Sequence, residues 1–346
     1  MNGAVKTAAV LVTLALATPC GVNGQELEIG IIDVYGLSRV SVRQVREMLT
    51  FTEGDTIAFR VGEEPVFLKE SEDRLARSPD IARARIQRVC CDAGRAIVYV
   101  GIEEPGAATM RLRAEPRGDA RLADDIVRAG DEADNALRLA VLRGNVGEDG
   151  SRGHSLADDP AVRAVQERFV LYAARDLSEL RLVLRSSSDA AHRALAAQVL
   201  GYAADKQAVV EDLVHGMNDA SAAVRNNAMR ALGVFADILP GTSRSVPRVP
   251  AQPFIELLNS PVWSDRNKAS GALMAMSADR DPELLAALRE RALAPLIEMA
   301  RWKSEGHALP AFFILCRIAG YSDEAAYDFW ERGDRDAVID AARNGR

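Results

Sequence analysis

The chain has 346 residues, of which 48% are hydrophobic and 5% aromatic, with 43 Lys+Arg against 50 Asp+Glu and a formal net charge of −7. That length and apolar share exclude a disordered chain and leave room for two domains, while the Ala- and Leu-rich second half has the composition of close-packed helices. The mildly acidic balance offers no broad positive field to a phosphate backbone, so nucleic acid is not expected as a partner.

At the N-terminus, Lys6 precedes an apolar run from Thr7 to Thr18. The run is too short to span a bilayer and fits the apolar region of a secretory signal. Small residues at Val22-Asn23-Gly24 mark a cleavage site that leaves Gln25 first, so 1–24 is read as a signal and the chain as exported, periplasmic or extracellular. A buried N-terminal helix is opposed by Pro19, Gly21 and Gly24. Lipoprotein anchoring through Cys20 is the weaker alternative, because Pro19 stands where a small residue is expected. After cleavage Cys90, Cys91 and Cys316 remain, an odd number. Adjacent side chains on a strand point to opposite faces, so Cys90 and Cys91 make a poor mutual bridge and are read as one buried small residue and one half-exposed thiol.

From Leu27 to about Gly106 the pattern is mixed α/β. Ile29, Ile31, Ile32 and Val34 form a strand ended by Gly36. Val42, Val45, Met48 and Leu49 recur at helical spacing and stop at Glu53-Gly54-Asp55. Phe67, Leu68, Leu75 and Ala76 suggest a second helix, closed by Ser78-Pro79. Strands Ile81 to Cys91 and Ala96 to Glu103 follow, joined by a hairpin turn at Asp92-Ala93-Gly94-Arg95. The expected order is β-α-α-β-β over 25–106. On Val34-Tyr35-Gly36, Glu53-Gly54-Asp55, Arg74-Leu75 before Pro79, and the closing Val98-Tyr99-Val100-Gly101-Ile102-Glu103-Glu104, this segment resembles a POTRA module. The resemblance implies binding by strand addition to an exposed sheet edge, as in outer-membrane assembly and secretion proteins. A purely structural cap is equally compatible.

Residues 107–188 form a helical linker region, with helical segments from Leu122 to Leu142 and a long surface loop over about 144–160, which carries Gly144, Gly147, Gly150 and Gly153. From Asp189 a repeat emerges. Arg193-x-x-Ala196-x-x-x-Leu200-Gly201 returns as Arg225-x-x-Ala228-x-x-x-Leu232-Gly233, and again as Arg266-x-x-Ala269-x-x-x-Leu273 with Met274 in place of glycine. A faint fourth copy lies at Ala311 and Leu315. Between the copies run second helices: Val209-Val210-Leu213-Val214, Phe254-Ile255-Leu257-Leu258 and Leu293-Leu296-Ile297. Helix pairs of this kind cover their apolar sides only by stacking on neighbours, so 189–346 reads as an α-α superhelix preceded by a small α+β domain. Asn218-Asp219 and Ser264-Asp265 supply helix-starting residues. These residues resemble HEAT repeats, over roughly Asp189 to Gly320, and depart from that pattern at the proline-rich insertion Pro240 to Pro253 and at Met274, where the glycine is lost.

Chemistry has little support in the sequence. The four histidines, His154, His192, His215 and His307, show no metal-ligand spacing, although His192 and His215 lie on successive helices. Gly153-His154-Ser155 lacks the strand-turn-helix setting of a nucleophile elbow, and Ser155 reads better as a helix cap. Asp124-Asp125 and Asp158-Asp159 read as solvated faces. No phosphate-cradling glycine motif follows a strand, so no cofactor, metal or small-molecule substrate is expected. Arg193, Arg225 and Arg266, with Asn226 and Asn227, form the candidate site. Two readings stand for it: a face that binds a partner, or an internal ladder to the turn aspartates of neighbouring repeats. The expected function is an exported, non-enzymatic scaffold that binds a protein or peptide. The alternatives are an accessory factor in envelope or outer-membrane protein assembly, peripherally associated with the envelope, and a hydrolase-type enzyme whose site is not visible in sequence.

Overall fold

A computed structural model of the chain describes residues 26–58, 65–107, 110–237 and 247–345. The signal reading of 1–24, with Cys20, lies outside the described residues, as does the first half of the proline-rich insertion, 240–246.

The first unit is a four-stranded sheet. Strand β1 (Glu26–Tyr35) is followed by α1 (Val42–Met48), β2 (Thr56–Ala58), α2 (Val66–Leu75), β3 (Arg83–Asp92) and β4 (Arg95–Glu103), in the spatial order β2-β1-β4-β3. β1 and β4 are parallel; β3 and β4 form the expected hairpin, with Ala93 and Gly94 both at positive φ. The expected β-α-α-β-β order is thus corrected to β-α-β-α-β-β, because after the Glu53-Gly54-Asp55 turn the chain pairs Ile57 with Leu27.

Both faces of this sheet are covered. Val98, Val100 and Ile102 of β4 and Ile29 and Ile32 of β1 face α1 and α2, whereas Ile97, Tyr99, Ile31 and Tyr35 belong to the core of the helical region. Ile29 and Ile32 share a face because the pairing register slips between Ile29 and Ile31.

The helical region opens with α3 (Asp124–Leu142) and α4 (Pro160–Arg175). The segment between them, read above as a surface loop, carries a small hairpin of β5 (Glu148–Asp149) and β6 (Leu156–Ala157). Its Leu156 is fully buried, and Tyr202 donates a hydrogen bond to the Ser155 carbonyl at 2.9 Å, which ties the hairpin down. Ser155 is not a helix cap: its hydroxyl donates to Glu148 at 2.6 Å. Asp159, expected on a solvated face, is the buried residue that caps α4 by accepting from the Ala161 and Val162 amides.

Four helical pairs follow: α5 (Leu177–Ser186) with α6 (Ala190–Leu200), α7 (Gln207–Gly216) with α8 (Ala222–Ala236), α9 (Gln252–Leu257) with α10 (Trp263–Met276), and α11 (Pro282–Ala300) with α12 (Glu305–Ile318). Helices α6, α8, α10 and α12 pack in succession, and the fully buried Ala196, Ala228 and Ala269 sit where they meet. Helices α13 (Asp323–Glu331) and α14 (Arg335–Asn344) end the stack, α14 lying on α11 and α12. The pairing differs from the sequence reading in phase. The repeat arginines open the second helix of the first three pairs, and the first pair begins at Leu177 rather than Asp189. No helix among the described residues is long and apolar enough to cross a membrane.

Candidate functional site

The three repeat arginines are buried where successive pairs stack. Arg193 is fully enclosed and grips Asp219 with two bonds of 2.9 Å, from Nε and Nη2, while Nη1 donates to the Ser187 carbonyl at 2.8 Å. Arg225 repeats this one pair later: Nε and Nη2 reach Asp265 at 3.0 and 2.7 Å, and Nη1 donates to the Asp219 carbonyl at 2.8 Å. Arg266 donates to the Ser260 carbonyl at 2.7 Å and to Glu298 at 2.9 Å. Each arginine thus holds the turn that starts its own helix and a carboxylate of the next pair, a planar fork matched to two acceptors. Arg225 is not paired with Asp189 or with the Asp219 carboxylate beside it in sequence; its carboxylate partner comes from the following pair.

The third rung joins the sheet to the stack. Glu298, besides holding Arg266, accepts the Gly36 amide at 3.1 Å and the Leu37 amide at 3.3 Å, and the Arg266 guanidinium lies 4.5 Å from the centre of the Tyr35 ring. Tyr35 donates to the Pro261 carbonyl at 2.9 Å, Lys303 donates its amide to Asp33 at 2.9 Å, and Trp263 its amide to Gln87 at 2.6 Å. The backbones touch here: a Cβ on Gly101 would stand 1.9 Å from the Pro261 carbonyl oxygen. Around these bonds Tyr99 stacks on Trp263 at 5.3 Å, meets Trp302 at 5.0 Å and hydrogen-bonds His307 Nδ1 at 2.7 Å. Burial holds His307 neutral, its pKa pushed down to about 4. Sequence reading missed this aromatic joint. Its signal was the unbroken apolar run of β4, which only a strand covered on both faces can carry.

Asn226 and Asn227 lie elsewhere. They line an open cleft of about 650 Å³ between α3 on one side and α6 and α8 on the other, at the crossing where Gly130 lets α3 approach Leu195 closely. Asn227 donates to the Ala194 carbonyl at 2.9 Å and accepts from Asn226 at 3.2 Å, which leaves the Asn226 side-chain oxygen without a partner among the described residues. Four carboxylates border the cleft: Asp131, Asp134, Glu148 and Asp189. Glu148 pairs with Arg230 and Ser155; burial raises its pKa, but Arg230 and the Ser155 hydroxyl outweigh that and hold it low. Asp189 caps α6 through the Ala191 and His192 amides, and its pKa is lowered accordingly. Asp131 and Asp134 make no ion pair or side-chain hydrogen bond among the described residues, and the Asp134 carboxyl is raised, first by its partial enclosure and then by Asp131.

The remaining candidates have separate partners. His192 Nδ1 accepts the Leu122 amide at 2.9 Å, whereas His215 lies beside Arg185 and is pushed down to about 4 by burial and by Arg113 and Arg185. Among the described residues no three His, Cys, Asp or Glu side chains are placed to hold a metal ion. Cys316 is buried and its thiol is raised to about 12 by burial.

Among curated proteins none matches the chain. A protein-family model described as HEAT repeats matches residues 177–249, from the first residue of α5 to beyond α8, so the stacked pairs that bear the first two arginine rungs and one wall of the cleft are similar to HEAT repeats, which act as protein-interaction scaffolds.

Proposed function

We propose that this chain is an exported, non-enzymatic scaffold that holds a protein or peptide partner in the cleft between α3 and the α6–α8 layer. The observation that supports this most directly is the contrast in how polar groups are used. The arginine rungs are buried and held by carboxylates and carbonyls, which suits stacking, while the cleft presents an amide oxygen and two carboxylates that meet no hydrogen-bond or ion-pair partner among the described residues. Its volume falls in the range of ordinary ligand sites. Asn226 and Asn227 are then the partner-binding members of the candidate set, and Arg193, Arg225 and Arg266 the stacking members.

For the sheet unit we propose a docking role within the chain rather than strand addition to an outside partner. The amide of Ile86 on the edge strand β3 already donates to Glu72 at 2.6 Å, and an added strand would have to displace that bond. Export would be shown by N-terminal sequencing of the mature product, with Gln25 expected first; a product starting at Met1 refutes it.

A photo-crosslinking side chain tests the cleft. Placed at Ala223, an exposed position on its rim, it should yield partner adducts in the native fraction, and placed at Glu211 on α7, outside the cleft, it should not. Adducts at Glu211 alone, or equally at both, would refute the assignment.

A further inference from the structure

We infer that the cleft takes an extended polypeptide segment carrying a basic side chain next to an aliphatic one. This rests on the cleft being the binding site proposed above and adds the chemistry of the occupant. Of the four bordering carboxylates, Glu148 is paired with Arg230 and Asp189 is engaged by the α6 amides, so the carboxylates of the cleft that have no partner among the described residues are Asp131 and Asp134. These lie three residues apart on α3 and face one another's charge with no cation between them, an arrangement that a helix ordinarily avoids. A guanidinium or ammonium placed between them removes the repulsion and answers both. Arg230, the one Lys or Arg among the described lining residues, is already engaged by Glu148 and Ser155, so it does not oppose a basic occupant.

The apolar part of the recognition lies on the same helix. Leu137, one turn beyond Ala133 and Asp134, borders the cleft and remains 44% exposed, and Val141, a further turn on, is 46% exposed. An aliphatic side chain beside the basic one reaches this strip. The opposite wall offers the Asn226 oxygen, which has no partner among the described residues and can accept from a backbone N–H. A helical occupant satisfies its own amides and gains nothing from that oxygen, whereas an extended segment has amides to donate.

Binding can be read by fluorescence anisotropy with three labelled decapeptides of alternating sequence: Leu-Arg, Leu-Gln and Leu-Glu. The Leu-Arg peptide should bind about tenfold more tightly than Leu-Gln, a difference of about 1.4 kcal/mol, with Leu-Glu weakest. Ala223→Trp, which fills the cleft from an exposed position, should abolish binding, and the Asp131→Asn/Asp134→Asn double variant should bring Leu-Arg and Leu-Gln to within about threefold. A backbone N-methylated Leu-Arg peptide should bind several-fold more weakly. If Leu-Gln or Leu-Glu binds as tightly as Leu-Arg and Ala223→Trp still blocks it, the cleft is a peptide site but the basic occupant is wrong. If Leu-Arg binding survives Ala223→Trp, it reflects the acidic surface at large and both readings fail. No Leu-Arg binding at about 1 mM overturns the inference, and the crosslinking pattern then decides the cleft assignment on its own. Equal binding of spermidine, with no penalty from N-methylation, reduces the site to one for small cations and likewise overturns it.

Discussion

Arg225 and Asn226 are neighbours in α8, yet they belong to opposite kinds of region. The arginine is enclosed, with its fork divided between Asp265 and the Asp219 carbonyl; the asparagine stands at an open cleft with an acceptor to spare. Sequence periodicity separates the two. The arginine recurs in each aligned segment, Arg193-Ala194-Leu195-Ala196, Arg225-Asn226-Asn227-Ala228 and Arg266-Asn267-Lys268-Ala269, and so does the alanine three positions on. The two residues between them are Ala-Leu, Asn-Asn and Asn-Lys, so the pair as a whole differs from copy to copy although Asn226 returns as Asn267. In a stacked array each unit must meet its neighbour in the same way, so what recurs is what stacks. What binds is free to differ.

The largest expected effect is on the stacking side. Arg225→Ala removes one member of a buried ion pair and leaves Asp265 charged and enclosed, a loss of about 3–5 kcal/mol. A melting temperature lower by roughly 10 °C should accompany it. At a temperature where the variant remains folded, its cleft should bind as the parent does. An unchanged melt, or a folded variant that no longer binds, would erase the distinction between the two regions.

Next in size is a pH effect at the joint between sheet and stack. His307 has an ordinary pKa of 6.5 and is held near 4 in the fold, so the unfolded chain takes up a proton that the folded chain refuses. This contribution is complete above pH 6.5, falls as the pH drops from 6.5 towards 4, and levels below that. Its ceiling is about 3 kcal/mol. His215 is pushed in the same direction and acts in the same window. Melts at pH 7.5 and pH 5 should therefore differ less in His307→Gln than in the parent; an identical difference would mean that His307 is not held neutral by the joint.

Gly101→Ala should weaken the same joint by about 1–3 kcal/mol, since its Cβ meets a backbone carbonyl that has no rotamer to escape into. Each unit has its own core, so protease should then cut the connection between Glu104 and Leu122 sooner, without degrading the stacked pairs first. If the variant melts like the parent, the sheet is not seated on Pro261.

The periodic parts of the molecule were legible in the sequence for the reason just given, and the failures share a cause. β2 has three residues and one buried side chain, Ile57, too little for an alternation to show. The phase of the helical pairs was missed because both helices of a pair are amphipathic. Turn length decides it: Ser187–Asp189 joins α5 to α6, whereas 201–206 separates α6 from α7, and shorter turns make the tighter hairpins. Glycines in 144–160 suggested a loop on the surface, but Leu156 anchors the segment beneath Tyr202. The five candidate site residues were found through the repeat, which is why three of them are stacking residues. Asp131 and Asp134 carry no repeat and reach the cleft only through the crossing of α3 over α6, a contact between segments far apart in the chain.

The smallest expected effect sharpens the comparison from the binding side. Asp131 and Asp134 are reached by solvent on α3, with the Asp134 carboxyl partly enclosed by the cleft; they make no ion pair or side-chain hydrogen bond among the described residues and stand close enough to repel. Replacing both with asparagine removes that repulsion and takes away no hydrogen bond or ion pair, so stability should change by no more than about 0.5 kcal/mol, towards the more stable side. Loss of charge in a residue that the fold uses has the opposite sign, as Arg225→Ala is expected to show. Thermal melts of the Asp131→Asn/Asp134→Asn chain beside the parent decide the point, with salt as a control: added salt screens the repulsion, so any gain should shrink as ionic strength rises. A melting temperature lowered by several degrees would mean that these carboxylates support the structure and would remove them from the binding surface.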